Sequence, residues 1–400
     1  METFSVTEKK TPPSISIEEG KHLVGEFIGD ETGPSLIVFG TIHGNEPSGL
    51  MALRRIAPKL ERLREKLKGR VFLLAGNTRA INRRVRFIDS DLNRHWTAEN
   101  ASRNRPVSTG SPQGSEDLEQ REILAKLEQI LNTARDEVYA MDLHSTSAES
   151  EPFAMFGDTF RNRRFARKFP AIFLLGIEEQ LDGTIMEYLN NLGAITLGFE
   201  AGQHTGKTAV DNQEALVWLA LINSGILARE EIDAEKYEGV LRAAMGRPRI
   251  IEIRYRHAID EDDDFKMKPG YRNFQKVRRG EVLAGDRRGE IRAEETALIL
   301  MPLYQAQGDD GFFLGREISG FWLSLSGLLR RLGAQKIMPF LPGVRRDPAD
   351  PDSLVVDTRV ARILPLQIFH LLGFRKRRWR DQKLIVSRRR FDTRSPFKKK

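Results

Sequence analysis

Ser35-Leu-Ile-Val-Phe-Gly-Thr-Ile-His-Gly-Asn-Glu-Pro47 opens as an apolar run and closes on two side chains that bind metals, His43 and Glu46. A short apolar run bounded by glycine and proline reads as a buried strand. Pro47 then opens a helix whose apolar positions Leu50, Leu53 and Ile56 follow helical spacing. Pro58 is expected to kink or end that helix, because its ring clashes with the preceding turn. A strand running straight into a helix is the repeating unit of an α/β fold.

The same texture continues on both sides. Candidate strands are His22–Ile28, Val71–Ala75, Val138–Met141, Ala171–Leu175 and Ala194–Phe199. A second helix is expected from Leu118 to Leu131, entered through Ser115-Glu-Asp117, and a third from Asn212 to about Ile226. Residues 21–245 therefore read as one α/β domain, a mixed and mostly parallel sheet sandwiched by helices. In such folds ligands gather beyond the carboxyl ends of the strands. His43, Asn77, His144 and Glu200 all fall there.

Near residue 246 the pattern changes. Arg249–Tyr255 alternates with period two, and short runs broken by Gly270, Gly280, Gly285, Gly289, Gly308 and Gly311 follow. These features predict a small β domain over 246–316. Residues 1–20, with Pro12-Pro13, read as a loose arm. Residues 317–400 form a C-terminal extension: an amphipathic segment Ser319–Arg331, a loop Pro342–Pro351, an apolar helix Val360–Phe374 and a basic tail in which Lys383–Val386 suits a final strand.

The chain has no cysteine, so disulfides, thiolate metal sites and cysteine nucleophiles are excluded together. Its net charge of +8 is unevenly placed. Residues 375–400 hold thirteen Lys/Arg and two Asp, a local +11, which leaves about −3 for the rest. Such a tail reads first as an ordinary solvated basic surface, with weak contact to anions or nucleic acid as the alternative. The amino terminus lacks a secretory apolar core and no window is long enough to span a membrane, so a cytoplasmic protein is expected.

His43 and Glu46 lie three residues apart, and His144 ends a second apolar run, Tyr139-Ala-Met-Asp-Leu-His144. Two imidazoles and one carboxylate are the protein ligands of a hydrolytic zinc centre that keeps a fourth position open. Two ligands on one turn and a third from a distant segment would tie two parts of the chain together.

Five motifs occur in order: His43-Gly-Asn-Glu46, Gly76-Asn77-x-Arg79-Ala80, Asp91-Leu-Asn-Arg94, Asp142-Leu-His144 and Glu200. In this order they resemble the succinylglutamate desuccinylase/aspartoacylase family, relatives of the zinc carboxypeptidases, over roughly residues 20–230. The resemblance implies a zinc carboxypeptidase-like fold, one zinc ion per chain and hydrolysis of the amide of an N-acyl amino acid that bears a carboxylate. It further implies Glu200 as general base and then acid, and Arg79 as the cation facing the oxyanion. Asn93 and Arg94 would grip the substrate carboxylate, for which the planar guanidinium fork is suited. Asp142 would orient a ligand histidine, and Asp91 would brace the loop that presents Arg94.

Other readings stand beside this one. The same machinery serves a carboxypeptidase acting on short peptides, and a catalytically silent binding protein would keep the same residues. Ala201-Gly-Gln-His-Thr-Gly-Lys-Thr208 resembles a relaxed phosphate-binding loop, with Lys207 at the phosphate, and points to a nucleotide hydrolase. His204 is read as a loop hydrogen-bonding partner, not a ligand. Tyr188 and Tyr304 are left without a catalytic role.

Overall fold

The structure, a computed structural model, describes residues 15–106, 111–204, 206, 208–247, 249–348, 350–357, 366–380 and 383–398. Eight strands carry the argument: β1 (Leu23–Ile28), β2 (Ser35–Gly40), β3 (Arg70–Ala75), β4 (Val138–Thr146), β5 (Phe153–Met155), β6 (Phe173–Leu175), β7 (Ile195–Gln203) and β8 (Ile250–Ala258). They lie in the order β1-β3-β2-β4-β7-β5-β6-β8, and strands Asp310–Glu317, Ala297–Leu300 and Lys276–Val277 extend the sheet to eleven. The centre, β3-β2-β4-β7, is parallel throughout. This is the mixed, mostly parallel α/β sheet expected from the sequence.

Alternation along a strand sends successive side chains to opposite faces. Leu36 and Val38 join a core with Leu53, Ile56 and Leu60 of helix Ser48–Arg62, and with helix Ala209–Asn223. Ile37 and Phe39 join the opposite core, with Ile123, Leu124, Leu127 and Ile130 of helix Ser115–Asn132. Both faces are covered, which explains the continuous apolar runs. Helix Ser48–Arg62 can begin so close to the sheet because both contact residues are glycines: a Cβ on Gly40 would lie 2.7 Å from the backbone carbon of Gly49. That close approach fixes where the turn carrying His43 and Glu46 must sit.

Several local expectations are corrected. The helix continues through Pro58 to Arg62, so Pro58 does not end it. The polar stretch after Arg94 contains a short helix, Ala98–Arg103, capped by the Thr97 side chain. Residues 15–20 of the expected loose arm are pinned: Ile17 exchanges two hydrogen bonds with the Asn82 side chain. Residues 1–14 lie outside the described residues.

The change of texture at 246 does not interrupt the sheet, because β8 pairs in parallel with β6, Phe173 opposite Ile250. In the extension, the expected loop at 342–351 contains strand Val344–Asp347. This pairs with Asp350–Val356, then Lys383–Arg388, then Phe374–Arg380, in a four-stranded antiparallel sheet. The basic tail is thus largely a hairpin. Of the helix expected at 360–374, Leu366–Leu371 is described and 358–365 lie outside the described residues. Among the described residues no helix is long and apolar enough to cross a membrane.

Candidate metal centre and active site

The turn after β2 is set by Thr41. Its backbone takes a positive φ of 66°, and its hydroxyl donates to the Glu46 carbonyl at 2.9 Å and accepts from Leu50 N–H at 3.1 Å. This closes residues 41–46 into a tight loop that turns His43 and Glu46 toward each other. β4 pairs with β2 on one side and β7 on the other, with His144 directly opposite Glu200. Parallel register alone therefore brings three strand ends to one place.

His43 Nδ1 lies 2.8 Å from Glu46 Oε1, and His144 Nδ1 lies 3.2 Å from Glu46 Oε2. One ligand atom from each of the three residues lies within 4.8 Å of the others, and all three residues are buried. Tetrahedral zinc with bonds of about 2.0–2.1 Å separates its ligands by about 3.3 Å. The donor set fits that ion in type and spacing.

Each imidazole also has a carboxylate behind it. His43 Nε2 meets Asp91 Oδ1 at 3.1 Å, and His144 Nε2 meets Asp142 Oδ2 at 2.6 Å. A proton held on Nε2 leaves Nδ1 as the free donor, and the carboxylate fixes the ring. Burial would lower the His144 imidazole, yet Asp142 and Glu46 raise it well above its ordinary value. Burial would raise the Asp91 carboxyl, but His43 and Arg86 hold it well below the usual range. The pair of aspartates thus supports a positive charge at the centre, which a metal ion carries more compactly than protonated imidazoles.

Glu200 stands apart from this hydrogen-bonded set. It is 8% exposed, and its Oε2 is buried with no hydrogen-bond partner. Burial pushes its carboxyl up to about 7; His144 opposes the rise and the Glu46 carboxylate adds to it. It lines the same cavity as His43, Glu46 and His144, a space of ≈ 170 Å³. A buried carboxylate oxygen without a partner is costly, and a water or substrate proton at that position would satisfy it.

Arg79 is placed differently from the expectation. It does not line the cavity. Its guanidinium is clasped by Glu119 at 2.8 Å and by Glu122 at 2.9 and 3.0 Å, beside His22. The oxyanion role expected for it has no geometrical support. Arg86 lines the cavity instead, bonded to Asp91 at 3.0 Å and 3.4 Å from Glu46. Sequence reasoning missed it, although it stands in the same loop as Asp91 and Arg94. That loop is held by Glu116, which accepts from the Ile88 and Asp89 N–H groups and from Asn77. Asp91 braces it from within by capping Asn93 N–H at 2.7 Å.

Arg94 reaches the cavity, paired with Asp310 at 2.5 Å, and its Nε is buried without a partner. The Asn93 amide is engaged at both ends: Nδ2 faces His144 and Asp142, and Oδ1 accepts from Ile185 N–H. His204 bonds Ser145 and Gln305. Ala201-Gly-Gln203 forms the end of β7, with Gly202 at a positive φ of 104°; residues 205 and 207 of that motif lie outside the described residues. Tyr304 donates to the Lys268 carbonyl, and Tyr188 packs against Trp96.

A parallel α/β sheet with two histidines, a glutamate and an unbound carboxylate at its carboxyl edge has the architecture of a metal-dependent hydrolase. Residues 32–224 match the Succinylglutamate desuccinylase/Aspartoacylase catalytic domain. The chain is 28% identical over 270 residues to the N-acyl-aromatic-L-amino acid amidohydrolase (carboxylate-forming) of Xenopus laevis, covering 62% of this chain and 84% of that protein. It is also 28% identical over 292 residues to the succinylglutamate desuccinylase of Ectopseudomonas mendocina (strain ymp), covering 68% and 78%. In fold it resembles the succinylglutamate desuccinylase/aspartoacylase structure from Rhodobacter sphaeroides, with TM-score 0.53, 19% identity and coverage of 74% of this chain and 88% of that one. The succinylglutamate desuccinylase structure from Vibrio parahaemolyticus gives 0.52, 17%, 83% and 89%.

Residues 32–224 of the chain thus form a catalytic domain of the succinylglutamate desuccinylase/aspartoacylase type. The chain is a hydrolase of a zinc-dependent family that deacylates N-acyl amino acids.

Proposed function

We propose that this protein hydrolyses the amide of an N-acyl amino acid at a zinc ion held by His43, Glu46 and His144, and that its preferred substrate has an apolar side chain or acyl tail. The observation that carries the reading is the buried, unpartnered Oε2 of Glu200 in the cavity that the three ligands share. When bound, zinc supplies Lewis acidity, making water nucleophilic near neutral pH and polarising a carbonyl. Glu200 accepts the proton of the attacking water and returns it to the amide nitrogen as the C–N bond breaks, leaving a carboxylate and an amine. Arg86 faces the charge that grows on the carbonyl oxygen. Arg94 holds the substrate carboxylate through its free Nε and its fork, and Asn93, tied to Asp142 and His144, sets the direction from which it reaches in.

Charge and wall chemistry support the apolar preference. The cavity walls include Met155, Phe156, Ile177, Leu181 and Phe313. The three arginines that line it already face carboxylates: Arg86 faces Asp91, Arg94 faces Asp310 and Arg389 lies 3.7 Å from Glu187. Glu178 and Asp309 add further acid, and burial raises the Asp309 carboxyl. A substrate with three carboxylates would meet more repulsion there than one with a single carboxylate and an apolar tail. Arg389 comes from the C-terminal extension, so that extension completes the pocket wall. A panel of N-acyl amino acids with zinc-loaded protein tests the reading. The expected order places N-acetylphenylalanine above N-succinylglutamate in kcat/KM by about tenfold or more. The reverse order would refute the apolar preference while leaving the catalytic assignment intact. Peptide cleavage without deacylation would favour the carboxypeptidase reading.

A further inference from the structure

Among the described residues, six of the ten exposed large hydrophobic side chains fall within twenty residues: Phe321, Trp322, Leu328, Leu332, Ile337 and Phe340. Helix Gly320–Arg331 presents two apolar faces. One packs inward through Leu323, with Ser326 and Arg330 buried beside it. Positions 321, 325, 328 and 332 repeat at helical spacing along the other face, where Phe321 is 63% and Leu332 is 74% exposed. The turns that follow continue the patch, ending at Phe340, which is 83% exposed. Monomeric proteins rarely leave so contiguous an apolar surface in water without a use for it.

The charge within the patch's own segment is of one sign, although Glu252 and Glu317 line a cleft together with Trp322. Between Glu317 and Asp347 the chain has five Lys/Arg and no acidic residue. Arg330 is spent internally on Asp158, while Arg331, Lys336, Arg345 and Arg346 are exposed. None of these four forms an ion pair among the described residues. At the first turn of the helix the apolar surface continues inward as a cleft of ≈ 460 Å³ lined by Phe156, Phe169, Phe173 and Leu323, with Arg167, Arg249 and Glu317 on its walls.

We propose that this face, helix Gly320–Arg331 with the turns to Phe340, docks on an anionic lipid surface, seating the enzyme on the membrane without crossing it. Exposed Phe, Trp and Leu on one face, flanked by unpaired cations, are what a helix lying in the headgroup region requires. The cations meet lipid phosphates, and the apolar side chains enter the acyl boundary. A second copy of the chain fits less well, because a twofold contact would bring the four cations of each copy toward those of the other. The inference is independent of the substrate assignment.

The test is co-sedimentation of the full chain with vesicles of phosphatidylcholine alone and of phosphatidylcholine mixed with phosphatidylglycerol, with light scattering of the free protein. Binding to the anionic vesicles is expected to be about tenfold or more above the neutral ones and to weaken at about 0.5 M salt. The double variant Leu332→Glu/Phe340→Glu should lose binding by about tenfold or more, with melting temperature and deacylation unchanged. The triple variant Lys336→Gln/Arg345→Gln/Arg346→Gln should lose the preference for anionic lipid. Leu192→Glu, at an exposed leucine elsewhere, should bind as the parent does. Equal, weak partition onto both vesicles would overturn the proposal. So would undiminished binding by the double variant, or a dimer in solution that the double variant splits while vesicles stay unbound.

Discussion

Replacing Arg86 by methionine keeps most of the aliphatic stem and removes the only charge that the loop between Ile81 and Asp91 places in the cavity. If this guanidinium faces the oxyanion, its loss should lower kcat by about 10²–10³, or about 2.7–4 kcal/mol of transition-state stabilisation. The substitution also strips a partner from Asp91, whose side chain is 2% exposed. Asp91 retains His43 and the Asn93 N–H, so the loss of folding stability should fall at or below the about 3–5 kcal/mol typical of a broken buried pair. The comparison is Arg79→Met, which breaks the clamp to Glu119 and Glu122 outside the cavity. It should lower the melting temperature and leave kcat within about threefold of the parent. The assay is steady-state deacylation with zinc content and melting temperature measured on each preparation. A hundredfold loss in Arg79→Met with zinc retained, beside a nearly normal Arg86→Met, would refute the assignment and restore the expectation drawn from the motif alone.

Glu200→Gln should retain zinc and lose turnover by about 10³ or more; activity within about tenfold of the parent would require another base. Because the free carboxylate is the active form, kcat/KM should fall as pH drops through the Glu200 pKa, which burial places at about 7 and bound zinc draws lower. Activity that holds steady below pH 5 would contradict this. Asp142→Asn should weaken zinc affinity by about 10–100-fold through His144, measured by competition with a chromophoric chelator. Unaltered affinity would reduce Asp142 to a bystander. Arg389→Ala should leave zinc content unchanged and alter KM ratios among substrates with different distal groups, whereas identical ratios would remove the extension from the pocket.

The parallel core was legible because its strands are buried on both faces and read as unbroken apolar runs. The grouping of His43, Glu46 and His144, which could hold a metal, was legible because these residues directly follow such runs, and register then brings them together. Arg86 was not. Arg83, Arg84 and Arg86 crowd four positions, and composition cannot say which of them faces inward. The structure decides through the left-handed backbone at Arg84, φ 57°, and through the Glu116 carboxylate that gathers the loop. Arg79 misled for the converse reason: its partners Glu119 and Glu122 lie some forty residues away on a helix face, and no local pattern announces them. The extension resisted reading because its strands are short and charged, so their pairing is set by contacts between distant segments and not by periodicity.

Zinc-edge anomalous diffraction from crystals of the metal-loaded enzyme tests the central claim most directly. A single strong peak is expected within about 2.0–2.2 Å of His43 Nδ1, a Glu46 oxygen and His144 Nδ1, with Glu200 nearby but unligated. The only other described cluster able to hold a metal is His22, Glu119 and Glu122. A peak there, with the first site empty at saturating zinc, would contradict the account.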